Sequence, residues 1–528
     1  MSRQQFTSRN DKGQILTFQK SGSTASFDPS IGFSSGSKRV SWRSNNGVTT
    51  TQTAGNVLTY TGFTSDTGIR TIEMRGNSFR NMSSLDFQND NIYGNLNLNT
   101  LSNLSGSGSF TVQNNLNLTG ITHSPSSVSF SQYIASSCNL TGNLDLTPLS
   151  GLGGTFIVLN NPLLTGITHS PSSEIFTQYY AYNCNLTGNL DLTPLSGLGG
   201  SFQVYINPLL TGITHSPSTQ SFTQYYAYNC NLTGNLDLTP LSGLGGEFRV
   251  QSNVGLTGIT HANSSNSMTN YTAHDCNLIG NLDLTPLSGL GGNFQIFNNP
   301  LLTGVTHSIS PNNFTQYDVS GCNLIGNLDL TPLSGLGGIF TLANNTNLTG
   351  ITNPTSIRNF TEYSLNICGL IGVLDLTPLS NFGGVSSAST CIFGVSSNSF
   401  LSGVTFPVVN TFFKNVNNND ALAAFRMFQS NLDYVDFKPL SGATLMSGTT
   451  QGAPRITLQN NNMSTTDVNH ILVDFSGNAT YNQTGWSNIN LNISGTNGAP
   501  DSSSGGYDGL SAISFLTGSP YNWTITYT

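Results

Sequence analysis

Three columns of potentially reactive side chains recur along this chain at fixed spacing. Asparagine or cysteine stands every 23 residues from Asn115 through Cys138, Asn161, Cys184, Asn207 and Cys230 onward to Cys391. All 7 cysteines lie in this one column. Histidine recurs every 46 residues, at His123, His169, His215, His261 and His307. Aspartate keeps the same period at Asp145, Asp191, Asp237, Asp283, Asp329 and Asp375. The chemistries open to these residue types are thiol or disulfide chemistry, metal ligation and carboxylate catalysis.

A fixed short period marks a solenoid, in which each repeat is one coil resting on its neighbours, and that geometry argues against each chemistry. Members of the histidine row stand two coils apart, roughly 9–10 Å, whereas zinc draws its ligands to about 2 Å. The histidines are therefore expected as repeated turn residues. Adjacent aspartates approach the ~5–10 Å separation of a glycosidase pair, but a catalytic site is singular and this feature is the same in every repeat. A turn role, with the carboxylate bonded to nearby backbone, is expected instead. Cysteines 46 residues apart exceed the ~7 Å Cα separation that a disulfide tolerates. Cys368 and Cys391 alone sit on successive coils. Buried thiols outside disulfides, suited to assembly in a reducing cytoplasm, are the expectation. No metal and no cofactor are expected, and the Asn-Leu-Thr sequons belong to the repeat turn.

The elements that carry these columns are short strands. One 46-residue copy runs from Phe156 to Ser201 and splits into two coils of 23. The first holds Phe156-x-Val158-x-x-Asn161-x-Leu163 and the second Tyr179-x-Ala181-x-x-Cys184-x-Leu186. Alternation puts Phe156 and Val158 on one face of a strand. The following Asn can satisfy backbone groups of adjacent coils, and Cys can fill the same slot as a small apolar residue with a weak donor. Ser150-Gly151-Leu152-Gly153-Gly154 is expected to make a tight turn into the next coil. Few helix-favouring residues lie between strands, so the outer wall is expected to be extended or irregular.

The pattern L-x-L-x-x-N/C-x-L, with the trailing Leu186-Thr187-Gly188, resembles the leucine-rich repeat family over residues 77 to 463. The resemblance implies a mainly β solenoid with a strand per coil; a right-handed β-helix is the competing fold. Residues 1–76 read as a small N-terminal β domain, with strands at Arg39–Arg43, Thr49–Thr53, Val57–Gly62 and Arg70–Arg75. Its Val40-Ser41-Trp42, Asn45-Asn46-Gly47, Leu58-Thr59-Tyr60 and Thr71-Ile72-Glu73 resemble a PKD-like β-sandwich, although that family usually carries Gly-Asp-Gly where this chain has Asn45-Asn46-Gly47. The solenoid proper is assigned to 77–455 and an α/β cap to 456–528. The cap holds one further coil (Ile456, Leu458, Asn461, Met463), a helix from Ser464 through Phe475 with Val468, Ile471, Leu472 and Phe475 on one face, a strand Asn490–Ser494, a helix Tyr507–Leu516 and a strand Trp523–Tyr527. It resembles the closing segment of leucine-rich-repeat proteins of bacteria and their phages.

Composition bounds the function. Only 8% of residues are charged against roughly 25% in an average soluble protein. A net charge of −8 and a pI near 5.2 argue against nucleic acid as a partner. No apolar run approaches the ~18 residues of a membrane span, and the polar first residues MSRQQFTSRNDKGQ lack the apolar segment expected of a secretory signal.

Because the inward positions repeat, the informative positions are those that vary. The outward residues of successive strands read Ile157 and Leu159, Tyr180 and Tyr182, Gln203 and Tyr205, Tyr226 and Tyr228. Five tyrosines on three strands about 4.8 Å apart would form one aromatic patch beside an apolar pair. Phenol rings with polar tips suit glycan or protein contacts, while cross-strand stacking would be their purely structural use. Ile157, Leu159, Tyr180, Tyr182, Tyr205, Tyr226 and Tyr228 are the candidate binding residues. The expectation is a non-enzymatic phage virion protein of fibre or decoration type. Its expected partners are other virion proteins at the N-terminal region, a host-surface glycan or protein at the repeat face, and a further copy of the chain. A bacterial cell-surface adhesin and a β-helix tailspike that cleaves polysaccharide are the alternatives.

Overall fold

In the computed structural model, side chains are described for residues 84–99, 108–127, 129–380, 382, 393–409, 425–442, 456–483 and 486–528; elsewhere only the backbone of strands is described. Cys391, residues 1–13 and the Val57–Gly62 strand expected from the sequence lie outside the described residues. The chain is a mainly β solenoid of about twelve coils of about 23 residues, with two helices near its C-terminal end. It divides into two compact units, residues 1–256 with 260–262, and residues 257–259 with 263–528.

In the first unit, one parallel strand per coil builds a continuous face. Its register advances by one coil at each step, pairing Tyr133 with Phe156, Phe156 with Tyr179, Tyr179 with Phe202, Phe202 with Tyr225 and Tyr225 with Phe248. These inward rings are 0% exposed and follow one another at 4.8–5.5 Å. Burying each contributes about 2–3 kcal/mol. The outer wall is extended as expected, but it is broken into two-stranded parallel sheets. One joins Thr141–Leu146 to Leu163–His169, the next Thr187–Leu192 to Leu209–His215.

The asparagine column does what its chemistry allows. Asn161 Nδ2 donates to the carbonyls of Ala135 and Val158 at 2.8 and 2.7 Å, and its Oδ1 accepts from the Leu140 amide at 3.3 Å. One side chain thus satisfies three backbone groups, two of them on the preceding coil. Cys184 makes only long S–H contacts, 3.4 Å to Val158 O and 3.6 Å to Tyr182 O.

The histidines are not turn residues. His123, His169 and His215 end outer-wall segments and point inward, with Nε2 2.9 Å from the hydroxyls of Tyr133, Tyr179 and Tyr225. Each His therefore ties one coil to the tyrosine of the next, which explains why the repeat is 46 residues long although the coil is 23. The glycine-rich stretch also differs from a simple turn. Gly153 and Gly154 lie inside the strand Leu152–Ile157, at a register shift against the next coil. Gly154 has φ +60°, and a Cβ there would stand 2.3 Å from Ser131 O, so only glycine fits so close to the preceding coil.

At the start of this unit, Gln14–Lys20, Lys38–Ser44, Thr49–Ala54 and Arg70–Gly76 form antiparallel ladders. Gln14–Lys20 also pairs with Ile92–Asn97 on the outer wall, and Ser30–Phe33 pairs with Met82–Asp86, the first strand of the continuous face. The first outer-wall strand and the first strand of the continuous face thereby each receive a partner.

The second unit repeats the pattern, with Tyr271, Phe294, Tyr317, Phe340 and Tyr363 in register. His307 meets Tyr317 at 2.9 Å. Where the histidine column reaches Asn353, the amide Oδ1 accepts from Tyr363 OH at 3.4 Å. The unit closes with helix α1 (Thr465–Tyr481) and helix α2 (Gly509–Thr517). Ser464 caps α1 in a reciprocal box with Asp467, and Val468, Ile471, Leu472 and Phe475 are buried as expected. The helix runs past Phe475 because Asn478 and Ala479 continue its buried face, Asn478 Nδ2 donating to Phe437 O at 2.9 Å.

Candidate ligand-binding face

The outward residues of the first unit come together as their spacing implies. Tyr182, Tyr205 and Tyr228 form a stack along the coil axis, with ring centroids 4.4 and 4.5 Å apart and planes 10° and 7° from parallel. Tyr180 and Tyr226 flank it, 6.1 Å from Tyr182 and 6.4 Å from Tyr205. Ile157 pairs in register with Tyr180, and Leu159 precedes Tyr182 in the stacked column. All seven residues are half-buried.

The stack decides what the face can offer. Both faces of the Tyr205 ring are covered by its neighbours, so that residue presents its edge and hydroxyl. Burial, aided by the Tyr182 and Tyr228 phenols, holds the Tyr205 hydroxyl well above its ordinary pKa, which keeps it a proton donor. Around the stack runs a hydrogen-bonded row of side chains. Gln178 Nε2 donates to Tyr180 OH at 3.2 Å, Gln203 Nε2 to Gln224 Oε1 at 2.8 Å and Gln224 Nε2 to Tyr226 OH at 3.1 Å. Tyr226 OH donates to Glu247, burial pushing that phenol up to about 12. Glu247 pairs with Arg249 at 2.7 Å, and the Arg249 guanidinium lies 5.0 Å from the Tyr226 ring centroid. The composite is a ledge of aromatic edges and hydroxyls bordered by carboxamides, suited to a ligand that is both polar and flat. Gln203 is one of the outward residues named from the sequence; Gln178 and Gln224 look there like ordinary solvated strand positions.

The second unit carries a smaller feature in the same column, His274 stacked on Phe297 at 4.3 Å and 6°. Its strand face also holds Glu362, whose carboxyl burial and the Asp318 charge hold above its usual range.

The other columns settle into structural roles. Asp191 Oδ1 accepts from Thr193 N and Oγ1 at 3.0 and 2.7 Å and from Thr214 Oγ1 at 3.2 Å. Those bonds hold its pKa down, as the matching ones do for Asp145 and Asp237, whereas a general acid needs the opposite shift. Cys138, Cys184, Cys230, Cys322 and Cys368 are buried thiols outside any disulfide. Burial pushes Cys184 up to about 11 and Cys230 to about 12, so neither is a thiolate near neutrality. Among the described residues no cluster of His, Cys, Asp or Glu could hold a metal ion, and no helix is long and apolar enough to cross a membrane. No protein-family model matches the sequence, and no curated protein matches it either.

Proposed function

We propose that the chain is a non-enzymatic binding solenoid of leucine-rich-repeat type, a fibre or decoration component of a phage virion that grips a host-surface glycan or protein through the tyrosine ledge. One observation carries the reading. The stacked column is tyrosine at Tyr182, Tyr205 and Tyr228 and a His274–Phe297 pair further on, but Gln251, Ser320 and Ala343 at other coils, while the coil keeps its inward pattern. Aromatic stacking is therefore not what the coil needs at this position, and three consecutive tyrosines call for another use. The leucine-rich-repeat assignment rests on the Asn/Cys slot and its bonds to the preceding coil. The PKD-like N-terminal region, with Trp42 on a paired strand, would attach to other virion proteins.

Replacing Tyr182, Tyr205 and Tyr228 together by Ser tests the ledge. Aromatic anchors at interfaces are worth about 2 kcal/mol or more each, so attachment to host cells is expected to weaken at least thirtyfold, with thermal unfolding changed by only a few degrees. Undiminished attachment would remove the ledge from consideration. Detection in the cell envelope, with no labelling of virions in electron micrographs, would favour the adhesin reading.

The polysaccharide-cleaving reading draws on Glu362, whose carboxyl burial and the Asp318 charge two strands away hold above its usual range. If it holds, host polysaccharide incubated with the protein gains reducing ends and Glu362→Gln abolishes the gain. The binding reading expects none from either protein.

A further inference from the structure

The outer wall, away from the tyrosine ledge, contains a second kind of feature. Where one two-stranded outer sheet ends and the next begins, a cavity opens. In the first unit it measures about 330 Å³ and lies among Asn189, Ile213, His215, Thr233, Asn235 and Asp237. In the second unit the same place, two repeats on, holds one of about 410 Å³ among Asn281, Val305, His307, Ile325, Asn327 and Asp329. Both volumes fall in the range of small-molecule sites.

Each cavity is lined by one of the buried histidines. His215 is 6% exposed and His307 8%. Their Nε2 atoms are bonded inward to Tyr225 and Tyr317, and their Nδ1 atoms have no hydrogen-bond partner. Burial holds both imidazoles at about 4, so they are neutral near pH 7. The tyrosine hydroxyl can donate to Nε2 or accept from it, and Nδ1 is correspondingly a donor or an acceptor. Each Nδ1 exposes less than 1 Å², so the groups open to a ligand are the other lining residues, and the arrangement recurs two repeats on.

The lining specifies the ligand class. Neither cavity is lined by Lys or Arg, which disfavours anions. Each has one Asp, and no metal-ligating cluster occurs among the described residues, which disfavours cations. What remains is carboxamides, threonine hydroxyls and a neutral imidazole set against aliphatic walls such as Ile213 and Pro240. That combination matches an uncharged sugar ring, whose hydroxyls both donate and accept and whose C–H face is apolar. We propose that these two outer-wall cavities are saccharide sites, each holding an uncharged hexose unit through its carboxamides and threonine hydroxyls against the aliphatic walls. The proposal is independent of the tyrosine ledge.

The test is a titration of the full chain with uncharged hexaoses of glucose, mannose and N-acetylglucosamine, followed by calorimetry and by long-range ¹H–¹⁵N spectra of the imidazoles. At least one hexaose is expected to bind saturably and to shift the imidazole signals of His215 and His307, which line the cavities. Thr233 is exposed and Ile325 is 59% exposed, so Thr233→Trp and Ile325→Trp can block the cavities without disturbing the core. Thr233→Trp should silence the response of His215 alone, and Ile325→Trp that of His307 alone. Substituting Tyr182, Tyr205 and Tyr228 should change neither. The proposal is overturned if no hexaose binds, if one binds while both imidazoles stay unmoved, or if the tryptophan variants respond as the parent does.

Discussion

Acidification from neutrality to about pH 4 is expected to unwind the coils that carry buried histidines. In the folded chain, burial lowers His123, His215 and His307 to about 4 and His169 to about 3, from an ordinary value of 6.5. The facing carboxylates Asp145, Asp191, Asp237 and Asp329 oppose the shift but are outweighed. Since the folded pKa lies below the unfolded one, the unfolded chain takes up protons first as the pH falls. The neutral imidazoles cost nothing above pH 6.5, and stability drains away between about 6.5 and 4. One pKa unit corresponds to about 1.4 kcal/mol, so each histidine withdraws about 3 kcal/mol by pH 4. Four together withdraw on the order of 10 kcal/mol, comparable with the whole stability of a typical domain. Glu362 and Asp474, whose pKa values are raised, act in the opposite sense and soften the loss. The aspartate column, with its lowered pKa values, contributes only below about pH 4.

The chain itself supplies the control. Asn353 occupies a histidine slot and still bonds its tyrosine, so His215→Asn should keep the contact to Tyr225 while removing the titration. Circular-dichroism melts from pH 7 to pH 4 should then show a shallower pH dependence, by the uptake of one proton. Superposable profiles for variant and parent would show that the histidine row does not control acid stability.

The histidine row shows where sequence reasoning stops. The period of 23 ties every residue to a place in its coil, so the inward Phe and Tyr, the Asn slot and the outward tyrosines could all be located from spacing. Periodicity says that His215 recurs; it does not say which way the side chain points at the end of an outer-wall strand. The missing signal was local, since a tyrosine follows ten residues after His123, His169, His215 and His307, the separation at which the hydrogen bond forms. The outer-wall cavities were out of reach for another reason. They arise where a ladder stops between sheets, and hydrogen-bond pairing between strands of like composition leaves no trace in residue type. The expected end of α1 at Phe475 is the last residue of its apolar face; the helix continues through the poor helix formers Ser476 and Gly477, because burial of Asn478 and Ala479 outweighs that local preference. The binding ledge was legible as a patch, but ring stacking, which closes off Tyr205, depends on side-chain torsions that the sequence does not display.

The asparagine column should be the most sensitive part of the coil. Asn207 is 0% exposed; its Nδ2 donates to Ala181 O at 2.9 Å and Val204 O at 2.6 Å, and its Oδ1 accepts from Leu186 N at 3.2 Å. Asn207→Ala leaves Ala181 O and Leu186 N unpaired, each costing about 1–3 kcal/mol, and leaves Val204 O with only the Cys230 thiol at 3.4 Å, so a loss of about 2–6 kcal/mol is expected. Cys230 fills the same slot one coil later with contacts of 3.4 Å to Val204 O and 3.6 Å to Tyr228 O. A weak donor leaves little to lose, and Cys230→Ala should cost about 1 kcal/mol. Because a solenoid can open locally, the sharpest measurement is amide hydrogen exchange. In Asn207→Ala the Leu186 amide and its coil neighbours should exchange about a hundredfold faster or more, whereas in Cys230→Ala the corresponding amides should stay within about tenfold of the parent. Equal effects at the two positions would mean that the slot works by filling space, and that the alternation of Asn and Cys carries no division of labour. The expected inequality means that every second coil is pinned by three hydrogen bonds and the coil between is held by packing and the His–Tyr tie, which is why the stable unit of this chain is two coils rather than one.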